Sequence, residues 1–307
     1  MAWWLESFTL YPALFFSCVF LVSLLLGSFL NVVIHRLPIM MEREWKLECA
    51  EALELSGDQA TLKTGTLNNG NFNDGYPAQY NLVVPGSACP HCGTAIPAWR
   101  NIPLISYLAQ KGRCHQCAEP ISVRYPLVEL ATALLCTLVA WQLGPTPQFL
   151  AAWLLTLSLV ALSAIDLDKM LLPDQITLPL LWLGLLLNID GLFASLSDAV
   201  LGAAVGYLSL WSVFQGFKLL TGKEGMGYGD FKLLALFGAW FGWQAILPII
   251  LLASVGGAVV GITLMATGKL AQGKPMPFGP WIALGGFIYL LWGPQLVSWY
   301  LSAALGA

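Results

Sequence analysis

Two groups of residues in this chain have types and spacings suited to chemistry. The first is cysteine. CPHC at 89–92 and CHQC at 114–117 are two Cys-x2-Cys knuckles with 21 residues between them. Cys89, Cys92, Cys114 and Cys117 at such a spacing can hold a tetrahedral Zn ion through four thiolates. The alternative is a pair of disulfides. With all four positions filled by cysteine, a zinc site would be closed and structural, leaving no position for a water. His91 and His115 lie inside the knuckles and read as bystanders.

The second group is carboxylates at the ends of apolar runs. In GMGYGDFKLLALFGAW, residues 225–240, Asp230 follows three glycines, and SAIDLDKMLLPD puts Asp166 at the end of another run. An acid beside a membrane-grade segment is costly and calls for a partner. Two carboxylates that share a proton can activate a water and protonate a leaving amine. The sequence has no serine nucleophile elbow and no His-Glu-x2-His helix. Its three histidines lie at the end of the first apolar run or in the cysteine segment. Of the hydrolytic chemistries an aspartate pair remains, with Asp166 and Asp230 as its members.

Gly225, Gly227 and Gly229 are expected to let the backbone leave helical geometry and approach a substrate closely. The bland reading of Asp230 is a helix N-cap. A helix N-terminus at Asp230 and a C-terminus at Asp166 suggest that Asp230 holds the charge and Asp166 the proton. Asp168 and Asp174 read as helix-boundary and lysine-pairing groups, and either is able to support the site. The same acids would also suit a proton-coupled transporter. Their clustering at one face, and the absence of a visible inverted repeat, count against that class.

These residues need elements to position them. The chain has 307 residues, 57% hydrophobic and only 10% charged, against about 25% charged in soluble domains. It reads as an all-α polytopic membrane protein, with the lipid bilayer as a partner and no nucleic acid. A span needs about 20 mostly apolar residues, and eight candidates occur: 10–35, 126–143, 147–165, 175–190, 196–219, 230–243, 244–267 and 280–302. The fourth and sixth are short. The first lacks a small-residue cleavage site and reads as a permanent span. All 14 Lys and Arg fall in, or at the edges of, the gaps that follow odd-numbered spans, including Lys63, Lys269 and Lys274, with Lys218 and Lys232 at the edges of the fifth and sixth spans, and none falls at the termini. Basic residues accumulate on the cytoplasmic side. Both termini therefore belong outside and every odd-numbered gap in the cytoplasm.

The organisation follows. Residues 1–37 form the first transmembrane helix, 38–125 a cytoplasmic zinc-binding loop and 126–307 a membrane-embedded core. A reducing cytoplasm favours zinc over disulfides. Within the loop, Glu42 to Asp58 is expected to form a short helix, and TGTLNNGNFNDGYP to be irregular. Gly202-x3-Gly206 and Gly257-x3-Gly261 read as close helix packing. Cys18 and Cys136 read as packing residues, and Cys49 as a free loop thiol.

Taken together, GSFLNVVIHRLP, the two knuckles, ISYL with GRC, RYPLVEL, D-x-D-x4-LPD and GMGYGDFKLLA resemble the type IV prepilin peptidases, and GYGD resembles the Gly-x-Gly-Asp motif of intramembrane aspartic proteases. The resemblance runs from Gly27 to Pro280. It implies an enzyme of the bacterial inner membrane that cuts the basic leader from prepilins and pseudopilins at the cytoplasmic face. It further implies methylation of the new N-terminus with S-adenosylmethionine, serving type IV pili and type II secretion. By motif, Asp166 and Asp230 are the catalytic pair, supported by Gly227, Gly229 and Asp174. No Gly-x-Gly-x2-Gly follows a strand, so no Rossmann cofactor site can be argued, and the resemblance points to the zinc loop for the methyltransferase. Candidates near the cofactor are Glu129, Arg124 and His35. Glu129 has an ion pair with Arg124 or Arg36 as its alternative.

Overall fold

The computed structural model describes residues 8–55, 67–68, 71–72, 75–268 and 276–305. Lys63, Lys269, Lys274 and Asp58, which enter the charge and helix expectations, lie outside these residues. All eight expected spans are helical. They are α1 (Pro12–Leu55), α3 (Arg124–Leu143), α4 (Pro147–Lys169), α5 (Asp174–Leu187), α6 (Leu196–Thr221), α7 (Tyr228–Phe241), α8 (Ile246–Ala266) and α9 (Gly279–Leu305), with the short α2 (Ile105–Ala109) in the large loop. Among the described residues six helices are long and apolar enough to cross a membrane. The other two, α5 and α7, have 14 residues each. That is about 21 Å of helix, short of the roughly 30 Å hydrocarbon thickness.

The segment from Glu42 is not a separate helix. It continues α1, which runs unbroken for 44 residues with Pro38 inside it. A proline removes one ladder hydrogen bond, and here the helix carries on past it. The segment expected to be irregular contains a minimal antiparallel pairing of β1 (Leu67–Asn68) with β2 (Asn71–Phe72).

The described chain divides into two compact units. In one, Phe20–Leu134, the loop is fastened to α1 by two arginines. Arg36 donates to the carbonyls of Asn81 and Pro85 at 2.8 and 2.6 Å, and Arg43 to those of Pro77 and Tyr76 at 2.9 and 3.1 Å. Both guanidinium groups lie over the Tyr80 ring. Gly27 lets α1 approach α3, since a Cβ there would come 2.9 Å from the Glu129 Cα. Asn31 donates to the Tyr125 carbonyl at 3.2 Å.

The other unit is Leu135–Ala307 together with the start of α1, up to Val19. Its centre is α7. Phe231, Leu233, Leu234, Leu236, Phe237, Ala239 and Trp240 are all fully buried, as expected of a helix that is apolar all round. On one side, Gly202 and Gly206 of α6 admit the backbone of α7, and Gly238 of α7 admits that of α6. On another, Gly184 of α5 makes room for the Trp240 ring, whose indole N–H donates to the Leu180 carbonyl at 2.8 Å. The buried Asn188 donates to the carbonyls of Ala239 and Trp240, both at 2.9 Å, and satisfies the last turn of α7. Gly257 of α8 meets the Trp281 ring, so both small-residue pairs are at packing contacts.

Thr146 caps α4 by accepting from the Phe149 amide at 3.2 Å, with Pro147 at the first position; both are favoured N-terminal chemistry. The helix α9 has non-helical backbone at Trp292, ahead of Pro294.

Candidate functional site

Asp166 lies in the last turn of α4, which closes at Met170 in the left-handed conformation, with the Met170 amide donating to the Asp166 carbonyl. Asp230 lies in the first turn of α7. Both are buried, at 5% and 7% exposure, and Asp230 lies in the electrostatic field of Asp166. Asp168, two residues beyond Asp166, is exposed. The fold therefore brings together the two acids singled out from sequence and leaves the third outside.

The Asp166 carboxylate is held by a backbone amide. The Gly279 N–H, at the start of α9, donates to Asp166 Oδ2 at 3.0 Å. The Asp230 carboxylate lies beside Gly227, where a Cβ would come 3.9 Å from its Oδ2, and the Asp230 amide donates to the Gly227 carbonyl at 3.3 Å. Gly227, not Asp230, is the N-cap of α7. Asp166 is thus at the end of α4 and at the beginning of α9 at once. The two aspartates lie at opposite helix ends as expected, and the Gly279 amide adds a donor at Asp166.

The glycines act otherwise than expected. Gly225, Gly227 and Gly229 are absent from the positive-φ positions, so conformational freedom is not their purpose. They supply room. A Cβ at Gly229 would come 2.8 Å from the Leu172 Cβ, and one at Gly225 would come 3.0 Å from the Phe217 ring. Leu172 also borders Gly279, where a Cβ would sit 3.2 Å from its Cδ1. The segment Leu172-Pro173-Asp174 accordingly has one task per residue. Leu172 fills the space beside both glycines, Pro173 caps α5, and Asp174 takes Lys232 Nζ at 2.8 and 2.7 Å. That ion pair ties the start of α5 to α7, two residues beyond Asp230. Gly279 is not among the residues singled out from sequence. Its only signal is a glycine followed by proline at the start of the last apolar run.

The four cysteines converge. Their sulfurs all lie within 4.8 Å of one another, with Cys89–Cys117 at 3.8 Å and Cys92–Cys114 at 4.0 Å. A tetrahedron with metal–sulfur bonds of about 2.3 Å has edges of about 3.8 Å, so the set fits such an ion. The knuckles share one turn geometry. Gly93 donates to the Cys89 carbonyl and Ala118 to that of Cys114, at 2.9 Å each. Both residues have positive φ, +69° and +58°, which glycine adopts freely and alanine with strain.

Hydrogen bonding to the Thr94 side chain and backbone lowers the Cys92 thiol to about 6. The backbone of Cys117 and Gln116 lowers that of Cys114. Although a backbone hydrogen bond at Glu119 lowers Cys117, burial and the neighbouring thiols push it up to about 12. Four sulfurs this close cannot all ionise alone, and a cation removes that conflict. His91 and His115 are exposed and outside the cluster.

Of the cofactor candidates, Glu129 is buried and accepts the Leu104 amide at 2.9 Å, with a further hydrogen bond to Ser28. Arg36 is engaged with loop carbonyls. Arg124 opens α3. His35 is exposed beside the Tyr76 ring.

Comparison with known proteins covers nearly the whole chain. Residues 21–143 match the bacterial peptidase A24 N-terminal domain, and 153–262 match the type IV leader peptidase family. A protein of Aeromonas hydrophila named prepilin leader peptidase/N-methyltransferase is 57% identical over 291 residues, 95% of each chain. Proteins of the same name are 54% identical in Pseudomonas aeruginosa, over 98% of each chain, and 50% identical in Burkholderia pseudomallei, over 89% of this chain and 84% of the relative. No solved structure matches. With both halves matched in order and relatives this similar over most of their length, the chain belongs to the type IV leader peptidase family.

Proposed function

We propose that this enzyme removes the leader of prepilins and pseudopilins with Asp166 and Asp230, at the cytoplasmic face of the inner membrane. It then N-methylates the new terminus with S-adenosylmethionine. The observation that carries the reading is the pairing of two buried carboxylates from α4 and α7, the first oriented by the Gly279 amide. Such a pair shares a proton. The ionised member takes a proton from water as the water oxygen attacks the scissile carbonyl. The protonated member gives its proton to the carbonyl oxygen. As the C–N bond breaks, the leaving nitrogen takes a proton from the pair.

Both acids sit in terminal turns of their helices, and the family match does not favour the transporter reading. S-adenosylmethionine supplies an electrophilic methyl group when bound. The new amine must be presented to it unprotonated, which no carboxylate pair assists, so residues other than Asp166 and Asp230 serve that step. The cysteine cluster is a structural zinc site that holds the loop in shape. The charge pattern supports a loop on the cytoplasmic side.

Asp166→Asn and Asp230→Asn should each abolish leader cleavage while leaving folded protein, and Asp168→Asn and Asp174→Asn should retain it. Supplied with a pre-cut pilin, both Asn variants of the pair should still methylate. Normal processing of a prepilin by either Asp166→Asn or Asp230→Asn refutes the pair.

A further inference from the structure

The unit Phe20–Leu134 contains a pocket of about 400 Å³ beside the cysteine cluster, lined among others by Trp99, Arg100, Ser106, Gln110, Cys114 and His115. That lies within the range of about 300–1,000 Å³ typical of small-molecule sites. Nη1 of Arg100 is shielded from solvent and has no hydrogen-bond partner among the described residues. A buried charged donor left unpaired is expensive. Nothing in the packing of the pocket explains it.

The wall that carries Arg100 is tied together by hydrogen bonds. Ser106 Oγ donates to the Trp99 carbonyl at 3.2 Å and accepts the Ile102 amide at 3.0 Å. Gln110 donates to the Arg100 carbonyl at 3.3 Å. Between them the chain makes a three-residue turn centred on Leu104, with φ +56° and ψ −49°, closed by the Ile105 amide on the Pro103 carbonyl at 2.6 Å. This is a rare, strained γ-turn. Backbone strain of this kind persists where the surroundings impose it, and it clusters at functional sites. Here the surroundings are Glu129, whose buried carboxylate reaches from α3 to take the Leu104 amide. Glu129 is therefore a positioning residue for this wall.

We propose that this pocket binds the methyl donor, with the Arg100 guanidinium receiving its carboxylate and the Trp99 ring covering its adenine. The proposal rests on the methyltransferase reading and assigns it a site. The features match the ligand's chemistry. A guanidinium pairs with a carboxylate by charge-assisted hydrogen bonds. Trp99, 71% exposed at the pocket, offers a ring face on which a base can stack, and such stacking is tolerant of base identity. Cys114 brings the edge of a thiolate cluster to the same pocket, a surrounding that favours a sulfonium cation.

The test is calorimetric titration of the full-length, zinc-loaded protein in detergent with two probes, S-adenosylhomocysteine and 5′-methylthioadenosine, which lacks the amino-acid part. Wild type should bind the first more tightly. Arg100→Met should weaken the first by about ten- to a hundredfold, the loss expected for a charged hydrogen-bonding partner, and leave the second unchanged, so that the two affinities converge. Trp99→Ala, at an exposed position, should weaken both. Zinc content and leader cleavage should stay at wild-type values in both variants. Unchanged affinity for S-adenosylhomocysteine in Arg100→Met and Trp99→Ala overturns the pocket while leaving the function standing. A wild-type protein that neither binds the probe nor methylates pre-cut pilin overturns the methyltransferase reading itself.

Discussion

Gly279 offers a way to disturb the aspartate pair without touching either carboxylate. In Gly279→Ala the backbone amide that donates to Asp166 Oδ2 at 3.0 Å remains, so the hydrogen-bonding group is conserved and only a methyl is added. Its carbon would stand 2.5 Å from that oxygen and 3.1 Å from the Asp166 Cγ, with Leu172 Cδ1 at 3.2 Å on the other side. An ordinary carbon–oxygen contact is near 3.4 Å, so the carboxylate must move by about 1 Å, and Leu172 blocks the easy direction. A displacement of about 1 Å at a reacting group costs about a hundredfold in rate, which is about 2.7 kcal/mol of transition-state stabilisation. The assay is cleavage of a purified prepilin by the variant in detergent, followed as kcat/KM, with methylation of pre-cut pilin as an internal control for folding. A hundredfold loss of cleavage with normal methylation is the expected outcome. Cleavage at the wild-type rate would refute the reasoning, because Asp166 would then not need the position that Gly279 enforces.

Two further outcomes are expected. Metal analysis of the purified chain should find about one Zn per molecule, the content of a single four-thiolate site. Cys89→Ser or Cys117→Ser should lower it, and full occupancy after loss of one cysteine from each knuckle would exclude the site. Membrane-impermeant thiol labelling of intact cells should reach a cysteine introduced near Asp190 and should miss Gly75→Cys, and labelling of Gly75→Cys from outside would place the cysteine loop on the other face.

The chemistry-bearing side chains are legible in the sequence because their chemistry fixes the residue type. Four cysteines in two knuckles suit few roles besides metal binding, two acids at the ends of apolar runs suit few besides proton chemistry, and the fold gathers both sets. What the sequence hides is whatever depends on where backbone passes. Gly279 matters through an N–H and a missing side chain, and it is 113 residues from Asp166. The role of Arg100 emerges only once Ser106, Gln110 and Glu129 have shaped the turn around it. The glycines before Asp230 stand out for a sound reason, their density. Conformational freedom is the wrong cause for them, because the bulk of Leu172 and Phe217 lies next to them only in three dimensions. The length of α1 is hidden by Pro38, since a proline signals a break but does not enforce one when the helix on both sides is otherwise well made.

The short α7, buried over nearly all of its stretch from Asp230 to Trp240, has a consequence for the membrane itself. Spanning helices that face lipid adjust to a thinner or thicker bilayer by tilting, and adjust their flanking residues with it. A helix packed by protein over nearly all of its surface offers little lipid contact through which that adjustment can act. The depth of Asp230 is then set by Gly202, Gly206, Gly184 and Asn188, which grip α7, and not by lipid composition. The two aspartates keep their mutual position while the perimeter responds to changes in bilayer thickness, as occur with growth temperature or acyl-chain length.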